Sequence, residues 1–244
     1  MIAQTKAELL KVRSTRTTLG LLLGMTALIL LFALLTGLLS HVGGLATKED
    51  QRQLLSLGSL AGLFSALAGV LLVTSEYRYG TIRPTFLFTP RRERVLAAKL
   101  AAGLLAGIAF GVVGEGVGFA IGYLLLDARG ISFALGGGDV ALLVLGTLAS
   151  TALWGAMGVG LGAILRNQVG AVITLLAWGF IVDNLLFGLV PSVGRFTPTR
   201  AQDAFIGLTT THLLSPAAGG LVLVAWALVL ALVGLPFVTR RDVT

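Results

Sequence analysis

The chain predicts an all-α integral membrane protein with six transmembrane helices, and three observations lead there. Hydrophobic residues make up 56% of the 244 positions, charged residues only 12%, and the mean hydropathy is +0.94, values far from those of a soluble domain. A hydrocarbon layer of about 30 Å needs roughly 20 apolar residues at about 1.5 Å each, and six stretches meet that length, near 18–40, 54–74, 99–126, 140–165, 169–190 and 216–238. The basic residues are sorted to match: of the 18 Lys and Arg, only Lys48, Arg52, Arg129, Arg195 and Arg200 fall on the outer side if the N-terminus is cytoplasmic. That asymmetry is the positive-inside pattern of a six-span chain with both ends in the cytoplasm, in the inner cell membrane. The whole chain, 1–244, reads as one transmembrane domain.

Residues 1–17 precede the first span. Ile2, Leu9, Leu10 and Val12 are interspersed with Lys6, Glu8, Lys11, Arg13 and Arg16, a pattern that fits a helix lying in the interface with its basic side chains toward anionic headgroups. A frayed cytoplasmic tail is the competing reading. The apolar run that follows is too long for a signal-peptide core and lacks a small-x-small cleavage site, so it counts as the first span.

The third and fourth spans are long enough to tilt or break. In the third, Gly103, Gly107 and Gly111 recur every four residues, and Gly114, Gly118 and Gly122 repeat that spacing after one shorter step. Four-residue spacing lines small residues along one helical face, where another backbone can approach closely. Ala152, Ala156 and Gly160 do the same in the fourth span. These are packing surfaces, within one bundle or between two copies.

Glu115 falls inside the third span; Asp183, followed by Asn184, falls inside the fifth. An ionised carboxylate at depth is expensive, so it should face the bundle interior or water. Counted from the cytoplasmic starts, both acids lie about 20–25 Å in. They are therefore candidates for a polar translocation path, or else for interhelical hydrogen bonds or wet positions near the outer interface. Between the fifth and sixth spans, Ala204–Leu208 and Leu213–Leu214 are apolar but too short to cross. Residues 191–215 either fold back toward the outer leaflet or form a solvated loop.

Several chemistries are excluded or weakened. Without cysteine there is no disulfide framework and no Cys-based zinc site. No Gly is followed by Lys, so the phosphate-cradling loop Gly-x-x-x-x-Gly-Lys-Ser/Thr is absent and the chain cannot hydrolyse ATP by that route. Gly158-Val159-Gly160-Leu161-Gly162-Ala163 matches a dinucleotide fingerprint only formally, because it lies in a span with no strand before it. Neither a His-Glu-x-x-His zinc motif nor a Gly-x-Ser-x-Gly elbow occurs, and His41 and His212 are far apart. No catalytic or metal-ligating residue is assigned. The net charge of +7 follows membrane topology, so nucleic acid is not an expected partner.

One segment offers a soluble partner something to grip. Between spans two and three, in the loop 75–98, Gly80 permits a reversal, Thr81 can cap a short helix, and Pro84 fits its first turn. Thr89 before Pro90 ends it. About two turns result, displaying Phe86, Leu87 and Phe88 beside a cluster of arginines, and exposed aromatics at the membrane edge want either lipid headgroups or a protein groove.

Glu76-x-x-x-Gly80-Thr81, followed by Pro90-x-Arg92 and Lys99, resembles the cytoplasmic loop of ABC transporter permeases of the type 2 exporter family. The likeness extends to the basic N-terminal segment, the six spans and the length. It departs from the simplest pattern in Pro84 and in Arg91-Arg92-Glu93-Arg94, which make the loop stiffer and more basic. The resemblance implies a permease subunit that is not itself an enzyme and binds no cofactor. It would pair with a second copy or close relative, sit in membrane lipid, and work with two ATP-binding subunits that hold ATP and magnesium. By the same resemblance, Gly80 and Thr81 start the coupling helix, Arg83, Phe86, Leu87 and Phe88 form its contact face, and Glu76 sits at the inner end of span two. The function so implied is export of a hydrophobic or amphipathic substrate, such as a drug, lipid or peptide, by alternating access. The rival is a proton-coupled secondary transporter using Glu115 and Asp183; it expects broken helices in an internal repeat, which the sequence does not show.

Overall fold

The computed structural model describes residues 2–39, 45–89 and 91–240; Pro90, His41 and Arg241 lie outside them, as does the Arg240 side chain. The described residues form helices and connecting turns with no strand. Helix α1 (Ile2–Ser14) breaks at Thr15 into α2 (Arg16–Leu39); α3 (Lys48–Leu55) runs through a 3₁₀ segment (Ser56–Leu60) into α4 (Ala61–Arg78). Then come the short α5 (Ile82–Phe88), the long α6 (Arg92–Ala128) and α7 (Gly137–Leu165). Helix α8 (Gln168–Ala177) joins α9 (Asp183–Leu189) through a π-helical turn at Trp178–Val182, and α10 (Pro191–Gly194), α11 (Pro198–Phe205) and α12 (Pro216–Arg240) complete the chain. Six helical stretches are long and apolar enough to cross a membrane, and each overlaps a stretch expected from hydropathy. The chain is a multi-pass, all-α membrane protein.

The spans are longer than apolar runs alone suggest. The second begins at Lys48, where the Thr47 side chain accepts the Asp50 N–H, and runs to Arg78. The third begins at Arg92, and neither it nor the fourth breaks. At 37 residues α6 is about 55 Å long, so it outreaches the hydrocarbon. Polar turns ride on helices already nucleated by apolar neighbours, which hydropathy windows do not register.

Helix α7 is the centre of the bundle, with α4, α6 and α12 around it. Backbone contact explains the small residues. Cβ atoms built at Gly103, Gly107 and Gly111 would strike the Thr151–Gly155 turn of α7, whereas those at Gly114, Gly118 and Gly122 would strike Gly58, Ala61 or Leu55. The one shortened step in the glycine spacing thus turns the stripe from α7 to the α3–α4 junction. All six packing positions act within a single chain. The Gly158–Ala163 segment is the same kind of surface, with Gly158 against Ala66 and Gly160 against Leu230.

Residues 191–215 are not a plain solvated loop. Ala201, Ala204 and Ile206 are buried, and the Gln202 amide donates to Ser59 O at 2.9 Å, so α11 folds back onto the bundle. The outer helices α2, α8 and α12 bury little of their surface and present leucine, isoleucine, valine and phenylalanine outward, as lipid-facing helices do.

Candidate functional site

Four junctions meet at one end of the bundle: α1–α2, α4–α5–α6, α7–α8 and the end of α12. Three sets of contacts tie them. Arg92 Nη1 donates to Val238 O and Thr239 O, both at 3.4 Å. Arg78 reaches Gln168 Oε1 at 3.2 Å, and the Arg166 guanidinium lies 5.4 Å from the Tyr77 ring centroid. The third and strongest set is a cluster of four charges.

Lys99 is 2% exposed and donates to Glu8 Oε2 at 2.9 Å, Glu76 Oε1 at 2.8 Å and Leu72 O at 3.0 Å, which uses all three of its N–H groups. Lys11 closes the cluster from outside, donating to Glu76 Oε1 at 2.6 Å and Glu8 Oε1 at 3.0 Å. Burial pulls the Lys11 ammonium down, yet the hydrogen bond and charge of Glu76, with those of Glu8, outweigh it and hold the group above its ordinary value. Two carboxylates and two ammonium groups leave no net charge in a place where an unpaired ion would cost several kcal/mol, roughly. The cluster fastens α1 to α4 and α6, and Leu9 and Val12 of α1 pack beside it.

This arrangement adds to two expectations. Residues 2–14 form a helix, not a frayed tail, and its one acid, Glu8, is buried against the bundle. Glu76 lies near the C-terminal end of α4, points into the bundle at 5% exposure and holds Lys99, so its side chain is not on the surface. Glu8 is the lone acid in a basic segment and Lys99 the lysine that opens a span, but nothing local in the sequence pairs them.

The short helix is displayed from this platform. Gly80 adopts φ +70°, the left-handed conformation that glycine tolerates, and turns the chain out of α4. Thr81 occupies the N-cap position but its side chain makes no capping bond, because its backbone stays in the helical region; Thr81 Oγ1 is therefore not the cap the sequence suggested. Ile82 is buried, and Phe86 turns inward under Arg92, whose guanidinium lies 4.9 Å from the ring centroid. Leu87 and Phe88 point outward at 81% and 90% exposure, while Arg83 is exposed on the first turn. Of the expected contact face, Phe86 is an anchor, and the tip consists of Leu87 and Phe88.

The intramembrane acids have separate surroundings. Asp183 is fully buried, and its Oδ2 accepts the Thr199 N–H at 3.1 Å, so it caps the first turn of α11. Asn184 accepts from Arg200 at 2.7 Å and donates to Phe180 O at 3.0 Å. Both hold the folded-back α11 against α9, directly after the π-helical turn. Glu115 is 3% exposed where α6 crosses the 3₁₀ segment, so close to Gly58 that no larger side chain fits there. The Thr147 hydroxyl is within electrostatic reach, but neither carboxylate oxygen completes a hydrogen bond. Among the described residues no group of three acids or histidines is placed to hold a metal ion.

No protein-family model matches the chain, and no curated protein matches it.

Proposed function

We propose that this chain is the transmembrane subunit of an ATP-driven ABC exporter. It would move a hydrophobic or amphipathic substrate across the cytoplasmic membrane by alternating access. The observation that carries this reading is the pair Leu87–Phe88. Two large apolar side chains stand almost bare on a two-turn helix that is anchored by buried Ile82 and by Phe86 under Arg92, while the Glu8–Lys11–Glu76–Lys99 cluster ties the flanking helices α4 and α6 to α1. Exposed apolar side chains beside such anchors suit a groove on a partner protein, and a push received there would pass through α4 and α6, which flank the short helix in the chain. The partners are two ATP-binding subunits, which hold ATP and magnesium, and a second permease copy or close relative. The chain itself is a lever and a wall, with no catalytic role.

The secondary-transporter reading has less to stand on. Asp183 is committed to capping α11, which leaves Glu115 as the one buried acid in the spans without a hydrogen bond among the described residues.

The test is transport of a fluorescent amphipathic dye in proteoliposomes, with and without an ATP-binding partner subunit. ATP-dependent transport that Leu87→Asp with Phe88→Asp abolishes, together with loss of partner binding, is the expected result. Transport driven by a pH gradient in the permease alone would overturn the reading.

A further inference from the structure

A cavity of about 140 Å³ lies where α1 turns into α2, with α4 as its back wall. Its charged lining is one cation, Lys11, and one anion, Glu76; Thr15, Thr18 and Tyr79 add hydroxyls, and Leu21, Ala68 and Leu71 supply an apolar side. We propose that this cavity binds the headgroup of an ethanolamine phospholipid, with the phosphate at Lys11 and the amine at Glu76.

Three features select that chemistry. First, Glu76 Oε1 serves both lysines, but Glu76 Oε2 is buried with no hydrogen-bond partner among the described residues. A buried carboxylate oxygen without a donor is costly, and an ammonium group on a ligand supplies the donor. Second, Glu8, Lys11, Glu76 and Lys99 already balance to zero. A purely anionic headgroup would leave excess negative charge in the cluster, whereas a zwitterion adds none. Third, a primary amine carries three N–H donors; a choline group has none and seeks several aromatic faces, of which this cavity has only Tyr79. For the phosphate, the Lys11 side chain is half-exposed, and the Thr15 and Thr18 hydroxyls lie 2.9 Å apart at the open corner. The apolar side continues along α2 and α4, where a glycerol backbone and its acyl chains would follow. This site lies at the junction of α1 with the bundle, so a bound lipid would bridge α1 and α4. It is independent of what the chain transports.

The experiment is native mass spectrometry of the purified full chain offered equal amounts of dioleoyl phosphatidylethanolamine, phosphatidylcholine and phosphatidylglycerol. Retention of the ethanolamine lipid about tenfold above either competitor is expected, the ratio one charge-assisted hydrogen bond supplies. Equal retention of all three, or preference for phosphatidylglycerol, overturns the proposal with no variant needed. Thr18→Leu and Leu71→Trp fill the cavity from the α2 and α4 sides without touching the charge cluster. Each should bring the ethanolamine lipid down to the phosphatidylcholine level in a chain of unchanged helicity, and a preference that survives both overturns the assignment to this cavity. Soluble phosphoethanolamine should not raise the melting temperature where the lipid does; a matching rise would show that a small phosphate ester, not a membrane lipid, is the ligand.

Discussion

The two ends of the bundle use charge in opposite ways. At the end bearing α5, four charges meet inside the protein around Lys99, and the helix mounted over them leaves Leu87 and Phe88 bare. At the other end, several charged and polar side chains close connections. Arg52 pairs with Asp139 and donates to Gly207 O, Lys48 backs the same aspartate at 2.8 Å, and Gln51 ties Leu45, Ser132 and Ala134 together. Asp183 and Asn184 hold α11 in place. One end ties α1, α4 and α6 together beneath a displayed short helix; the other is a set of clasps that draws its loops onto the helices. Under the proposed function, the first end would receive force from a partner and the second would stay closed.

The largest effect should come from the hub of the first end. Lys99→Met leaves Glu8 and Glu76 with Lys11 alone, and breaking a buried pair from one side costs about 3–5 kcal/mol. The expected outcome is a large fall in melting temperature in detergent and loss of protease protection of α1. Adding Glu8→Gln to Lys99→Met should recover part of that loss, since it removes one stranded charge. A Lys99→Met chain as stable as the parent would show that the cluster does not bind α1 to the bundle.

At the clasped end the corresponding change is milder, because the clasp is doubled. Arg52→Met forfeits the Gly207 and Asp139 contacts, yet Lys48 still faces Asp139. About 1–3 kcal/mol is expected, the usual range for lost hydrogen bonds to a charged group. If Arg52→Met costs as much as Lys99→Met in the same melting assay, the contrast between hub and clasp fails.

Smaller again is the cap on α11. Asp183→Ala removes the acceptor for the Thr199 N–H, and loss of a helix cap costs about 0.5–2 kcal/mol. Hydrogen exchange should quicken across 198–205 and stay unchanged in α1. Fast exchange in both regions would mean that the two ends are not independent.

What the sequence disclosed follows the same division. The six spans were legible because lipid imposes a length and a polarity on each helix separately. The glycine stripe of α6 was legible as a packing face, and even its shortened step was visible, although the two neighbours it serves were not. Gly80 announced the reversal, since few other residues tolerate that backbone. The burial of Glu8 was hidden because it depends on Lys99, 91 positions along the chain, and periodicity carries no information about such a pair. The roles of Asp183 and Asn184 were hidden for the same reason: their partners stand on α11, which hydropathy leaves as a short ambiguous stretch. The π-helical turn at Trp178–Val182 leaves no mark in composition at all.

Phe86 and Phe88 give the finest separation between mount and display. They are two positions apart on α5, so helical geometry turns them to different faces. Phe86 stacks under Arg92 and touches the Leu72–Val159–Val238 core; Phe88 touches almost nothing. Phe86→Ala should lower stability by about 1–3 kcal/mol through lost burial and the cation–π contact. Phe88→Ala should change it by less than about 0.5 kcal/mol, as an exposed substitution does, while weakening any partner that docks on the tip. Melting curves measure the first effect, and binding of an ATP-binding subunit to the purified chain measures the second. Two variants that differ in stability in this order but bind the partner equally would leave α5 a structural stub, and two that lose stability equally would show that Phe88 is covered in the folded protein.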